Sequence, residues 1–181
     1  MSLLSVEGAA LVRGGRLLFE GLHLTLASGE AAHITGPNGS GKSSLIRMVA
    51  GLLTPSAGRI ARAAVALADD GLALDRELPL GKALGFWGGP RLAEALAAFD
   101  LARLAQVPVR LLSTGQARRA RLARVMASGA PLWLLDEPHS GLDRDGAARL
   151  DAVIARHREG GGAVLVASHV PLAGQWREVP L

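Results

Sequence analysis

Hydrophobic and polar positions change rhythm along this chain. From 3 to 28 they alternate in short runs, first Leu3, Leu4 and Val6, then Leu22, Leu24 and Leu26. Period-two alternation predicts half-buried antiparallel strands, with Gly14-Gly15 and Ser28-Gly29 as turns. Ala31–Thr35 is a short apolar strand, followed at once by a glycine-rich turn and a helix over Gly41–Ala50, which has ended by Gly51 and Pro55. Ile60–Leu67 has room for one or two short strands. Pro79–Trp87 and Arg91–Phe99 read as short helices joined by Gly88-Gly89-Pro90. Gly115–Ala127 has helical spacing: Ala117, Leu122, Val125 and Met126 are expected inside, and Arg118, Arg119, Arg121 and Arg124 mostly in water. Leu132–Leu135 is wholly apolar and ends in Asp136, the pattern of a parallel strand covered on both faces; Ala163–Ala167 is another. Between them Arg144–Glu159 is helical and Gly160–Gly162 stops it. Strands alternating with helices predict an α/β domain with a mainly parallel sheet. No internal repeat or low-complexity segment interrupts it.

Composition narrows the class. The chain has 181 residues, 49% of them hydrophobic, enough for one domain with its own core. It has no cysteine, which removes disulfides and thiolate metal sites and fits a reducing compartment. Met1 to Gly15 has no basic stretch ahead of its apolar residues and is interrupted by Glu7, a poor signal peptide. The longest uncharged stretches, Val125–Leu135 and Gly160–Trp176, are respectively too short and too broken to span a bilayer. A soluble chain is expected, with any membrane role supplied by a partner. The net charge of +4 rests almost wholly on scattered arginines, since Lys42 and Lys82 are the only lysines, and there is no tyrosine to stack on bases. No nucleic-acid partner is expected.

Two segments carry chemistry. Gly36-Pro37-Asn38-Gly39-Ser40-Gly41-Lys42-Ser43 fits the G-x-x-x-x-G-K-[ST] phosphate loop without a mismatch, and Ser44 follows it. Glycines let backbone N–H groups turn inward as an anion cradle. The helix that follows points its positive end at the phosphates. Lys42 reaches the β and γ phosphates, and the Ser43 hydroxyl ligates Mg²⁺. Downstream, Leu132-Trp133-Leu134-Leu135-Asp136-Glu137 delivers two carboxylates at the end of a strand, where ligands sit in an open parallel sheet. Asp136 is expected to hold Mg²⁺, directly or through water, and Glu137 to orient the attacking water as general base.

Other P-loop proteins share those two elements. Leu112-Ser113-Thr114-Gly115-Gln116, before the arginine-rich helix, resembles the signature segment of ATP-binding-cassette (ABC) ATPases. Ser140-Gly141-Leu142-Asp143 resembles their D-loop, and Ser168-His169 their switch histidine. The resemblance covers nearly the whole chain. It implies a P-loop NTPase (RecA-like) fold with an N-terminal antiparallel β subdomain and a short helical subdomain. The chain would then be a single nucleotide-binding domain over 1–181, with a helical insertion at about 79–128. The resemblance also implies work divided across two copies. Lys42, Ser43, Asp136, Glu137 and His169 would act on one ATP, while Ser113, Gly115 and Gln116 would contact the γ-phosphate held by the facing copy; Ser44, after the phosphate loop, and Asp143, in the D-loop, would also bind nucleotide. ATP closes such a pair and hydrolysis opens it.

Three positions depart from that pattern. Thr114 stands where the signature usually has glycine. The glutamine usual after the strand following the phosphate loop is missing; Asp69-Asp70 occupy about that place, either as Mg²⁺ or water ligands or simply as a turn before Gly71. The usual adenine-stacking aromatic near the N-terminus is absent; Arg13 lies nearby, to stack by its guanidinium plane or to stand in a solvated loop.

Within the family, the short chain, trimmed helical region and strings such as Pro79–Trp87 and Ala130–Pro138 resemble the haem-exporter ATPase of cytochrome c maturation. That resemblance implies ATP and Mg²⁺ as cofactors, a membrane-spanning permease of the CcmB type, a second ATPase copy, and a peripheral place on the cytoplasmic face of the inner membrane. Another exporter or importer fits the same motifs; a cassette protein acting on nucleic acid or a soluble assembly fits less well, for want of a second cassette or long coiled insertion. His23, His33, His139, His157 and His169 show no ligand spacing for haem.

Overall fold

A computed structural model describes residues 2–71, 73–88 and 91–181. Gly89 and Pro90, expected in a helix connection, and Met1 lie outside the described residues. The chain divides into two compact units: 1–67, 131–137 and 157–181 form one, and 68–130 with 138–156 the other.

The first unit opens on two long strands, β1 (Ser2–Arg13) and β2 (Arg16–Ala27), paired antiparallel across the Gly14-Gly15 turn. Their alternation lays Leu4 against Leu26 and Val6 against Leu24, all buried. β4 (Ala57–Arg62) joins β1 on its other side, completing a three-stranded sheet of order β2-β1-β4. Gly58 has φ +84, and a Cβ there would lie 2.5 Å from the carbonyl oxygens of Glu7 and Gly8 and 2.6 Å from the Ala9 nitrogen. Backbone cannot swing aside as a side chain can. Gly58→Ala should therefore cost on the order of 3 kcal/mol, positive φ and clash together. Urea denaturation checks this; a loss within about 0.5 kcal/mol, the range of an ordinary surface change, would contradict it.

A second, five-stranded sheet has the order β5-β6-β7-β3-β8. Its strands are β3 (Ala31–Thr35), β5 (Val65–Ala68), β6 (Leu132–Asp136), β7 (Ala163–Ala167) and β8 (Arg177–Pro180). The pairs β3–β7, β3–β8 and β6–β7 are parallel. Every residue of β6 and β7 is buried, as their unbroken apolar runs predict. Helix α1 (Lys42–Ala50) packs Leu45, Ile46, Met48 and Val49 into one core with Ala32 and Ile34 of β3, Leu132 and Leu134 of β6, Leu165 of β7 and Leu4 and Leu26 of the antiparallel sheet. α1 begins one residue later than expected, with Gly41 as its cap, and ends at Gly51 in the left-handed region with its N–H on the Met48 carbonyl at 3.0 Å.

The second unit is mainly helical: α2 (Leu80–Gly85), α3 (Leu92–Ala98), α4 (Thr114–Ala127) and most of α5 (Arg144–Glu159), which runs on into the first unit. Both short helices are trimmer than their sequence limits. Leu80, Leu84, Phe99 and Leu101 are fully buried here. α4 corrects one expectation. Arg121 and Arg124 are buried, at 9% and 8% exposure, and Ala117 is only half-buried. Their charges are met locally. Arg121 Nη1 donates to the Asp69 carbonyl, and the Arg124 guanidinium lies 4.9 Å from the centre of the Trp87 ring. Burial holds the Arg124 pKa below its ordinary value, with Asp69 opposing that shift. Spacing alone put these arginines in the same stripe as Arg118 and Arg119; tertiary partners decided otherwise. Among the described residues no helix is long and apolar enough to cross a membrane.

Candidate functional site

Within the first unit, three neighbouring strands end beside one another, and each is followed by a loop bearing expected residues. β3 leads into the phosphate loop. Gly36, Gly39 and Gly41 all take positive φ, so the loop follows a path closed to most side-chain-bearing residues. A Cβ at Gly36 would lie 2.9 Å from Ser40 Oγ. The Ser40 hydroxyl is itself buried without a hydrogen-bond partner among the described residues. Lys42 arches back over the loop: its Nζ donates to the carbonyls of Gly36 at 2.8 Å and Pro37 at 3.0 Å. A buried ammonium so tethered is pre-aimed at the loop's mouth. The helix's free N–H groups face the same way.

β6 ends in Asp136, which is buried, and its Oδ1 accepts a 3.0 Å hydrogen bond from Ser43 Oγ. This brings together the two residues expected at the metal. Glu137 follows with φ +48, a left-handed backbone rarely held by a residue other than glycine, asparagine or aspartate. Its N–H still donates to the Ala167 carbonyl at 2.8 Å, so the ladder with β7 fixes where the chain turns. Glu137 Oε2 lies 2.8 Å from His169 Nδ1 and 3.4 Å from the His169 backbone nitrogen. The bond at Nδ1 requires the proton on that nitrogen. Ser168 braces the turn: its Oγ accepts from Val170 N–H at 3.0 Å and donates to the Val170 carbonyl at 3.2 Å.

A cleft of about 350 Å³ opens along this edge, lined by Asn38, Gly39, Lys42, Ser43, Glu137 and, at one end, Arg13 and Leu18. Arg13 Nη1 donates to Ser44 Oγ at 3.5 Å, so it belongs to the cleft wall rather than to a free loop. Leu18 had not been expected there. No periodicity marks a residue that matters by its place in a cleft wall.

The remaining expected residues belong to the second unit. Ser113 caps α4: its Oγ accepts from Gln116 N–H at 3.3 Å, and Gln116 Oε1 accepts from Ser113 N–H at 2.9 Å. This reciprocal capping box leaves the Ser113 hydroxyl proton free to donate outward. Gly115 lies in the first turn, and a Cβ there would meet nothing within 4 Å. Asp143 Oδ1 accepts from Gly146 N–H at 2.8 Å at the start of α5. Gly141, at φ +64, is packed directly against the Arg118 guanidinium, where a Cβ would collide. Asp69 makes a local turn, its Oδ1 accepting from Gly71 N–H at 3.0 Å.

Chemically, the first unit offers an amide cradle and a lysine for a polyanion, two hard oxygens 3.0 Å apart for a divalent cation, and a carboxylate beside a histidine. Residues 19–140 match the family model for ABC transporters, a stretch holding the phosphate loop, the signature and the paired carboxylates. The cytochrome c biogenesis ATP-binding export protein CcmA of Sphingopyxis alaskensis is 55% identical over 94% of this chain and 92% of its own length. The protein of that name from Novosphingobium aromaticivorans is 56% identical over 89% and 85%. A solved ATP-binding subunit of an ABC transporter, at 24% identity, superposes with a TM-score of 0.86 over 93% of this chain and 80% of its own, which speaks for the fold. The chain belongs to the ABC transporter family as one of its ATP-binding ATPase subunits, within the cytochrome c biogenesis ATP-binding export proteins.

Proposed function

We propose that this ATPase energises haem handling in the assembly of c-type cytochromes, working as a pair of copies beneath a membrane-spanning permease of the CcmB type on the cytoplasmic face of the inner membrane. The chain then acts as one nucleotide-binding domain, 1–181, with its helical insertion at about 79–128. The observation that carries the catalytic reading is the meeting of Ser43, Asp136, Glu137 and His169 at the strand ends beside the phosphate loop.

The same geometry supports the following roles. Gly36 to Gly41 wrap the phosphates with backbone N–H groups, and Ser44 lies at the same helix end. Lys42 leaves its two carbonyl acceptors for the β and γ phosphate oxygens, trading neutral acceptors for charged ones. Ser43 Oγ and Asp136 suit Mg²⁺, a hard cation usually held by one or two protein oxygens beside phosphate and water. Mg²⁺ held by these residues would supply charge neutralisation to the phosphates. Glu137 accepts the proton of the attacking water, and the left-handed backbone aims its carboxylate. When both ring nitrogens carry protons, His169 holds Glu137 in place through Nδ1 and donates toward the γ-phosphate through Nε2. Asp143 orders the start of α5.

The facing copy supplies Ser113, Gly115 and Gln116. Support comes from Gly115: it lies in the first turn of α4, and nothing within 4 Å in the same chain fills the space that a Cβ would take. A ligand arriving from outside, close to the backbone, does need it. The hydroxyl proton of Ser113 and the N-terminal end of α4 would meet its charge.

The membrane role is tested at the native locus. Cells carrying Lys42→Ala should lose covalently bound haem from c-type cytochromes on a haem-stained gel while other haem proteins persist. Unchanged c-type cytochromes would leave the ATPase standing and send the search to another transported substrate.

A further inference from the structure

β3 carries a histidine where its neighbours are apolar. His33 is half-buried, and its Nε2 lies 2.9 Å from the carbonyl oxygen of Ser168. A carbonyl only accepts, so Nε2 bears the proton and donates whether the ring is neutral or charged. In the β3–β7 ladder His33 stands opposite Val166, and the last β7 residue is Ala167. The bond to Ser168 therefore ties down the chain just after regular strand pairing has stopped.

What it ties down is the turn carrying His169. Ser168 is 3% exposed, with its hydroxyl engaged to Val170 through both donor and acceptor. The His169 side chain, by contrast, is 64% exposed and reaches Glu137 alone among the contacts described. A side chain that open depends on its backbone for accuracy, and small misplacements of a reacting group cost large factors in rate. The strand holding His33 continues through Ile34 and Thr35 into Gly36, so one side chain links the root of the phosphate loop to the turn bearing His169.

We propose that His33 is a positioning residue for ATP hydrolysis: through the Ser168 carbonyl it fixes the turn that presents His169 to Glu137 and the γ-phosphate. This rests on the role given to His169 above. His33→Val removes the donor but suits a strand, and His33→Gln restores an N–H of similar reach. The turnover number, KM for ATP, fluorescent-ATP affinity and melting temperature are measured for both, for His169→Ala and for the double variant His33→Val with His169→Ala, each co-purified with its membrane partner. His33→Val should lower turnover about tenfold, roughly one hydrogen bond's worth, at unchanged nucleotide affinity. His33→Gln should stay within about threefold of the parent, and the double variant should be no slower than His169→Ala. Were His33→Val not to fold, His33→Gln set against His33→Met, similar in length with and without a donor, gives the same contrast. Parental turnover in the donor-less variant beside an inactive His169→Ala overturns the inference and spares the site. Losses that multiply in the double variant overturn it as well, marking His33 as merely structural. Full turnover in His169→Ala removes the role of His169 itself, and the positioning role with it.

Discussion

Glu137→Gln should bind ATP as the parent does, hydrolyse it at least about a hundredfold more slowly, and accumulate as a closed pair of copies. The amide keeps the shape and can still reach His169, but it accepts no proton from water; general-base contributions run to about 10²–10⁴ in rate. The left-handed backbone at 137 is set by the ladder bond to Ala167 at 2.8 Å, which the substitution does not touch, so the fold should persist. Size-exclusion chromatography with Mg-ATP reads the pairing, and a phosphate-release assay reads turnover. Turnover within a few-fold of the parent would remove Glu137 as the base.

Lys42→Ala strikes earlier in the cycle. Lys42 is 8% exposed and its ammonium is anchored by two carbonyls of its own loop, ready to exchange them for phosphate oxygens. Charge-assisted hydrogen bonds contribute about 1.5–3 kcal/mol each, so affinity should fall about tenfold to a hundredfold and turnover below detection. Gly36 and Pro37 would also lose their donor, which should loosen the empty loop without unfolding the strand that feeds it. Titration with a fluorescent ATP analogue measures the binding, and a thermal melt checks the fold. Unaltered affinity and hydrolysis would contradict the cradle.

Much of this was legible in the residues. Wholly apolar strands announced β6 and β7, because covering both faces leaves no room for polar alternation. The phosphate loop was legible because glycine spacing there is dictated by backbone geometry. What escaped was non-local. β8 has one buried residue, Val179, and exists through pairing with β3, far away in sequence. Arg121 and Arg124 looked like a solvated face until Asp69 and Trp87 came to meet them. His33 showed its oddity, a polar residue in an apolar strand, but not its acceptor, which lies on a turn beyond another strand. Arg13 shows no pattern that would place it, yet it stands in the cleft wall with Nη1 3.5 Å from Ser44 Oγ.

β8 also closes the outer edge of the five-stranded sheet. Its Arg177 and Glu178 are exposed, and Pro180 has no N–H to offer. Such an edge is a poor template for strand addition by another molecule. A sticky sheet edge would turn chance meetings between copies into aggregates. With this edge blunted, encounters between copies there stay reversible.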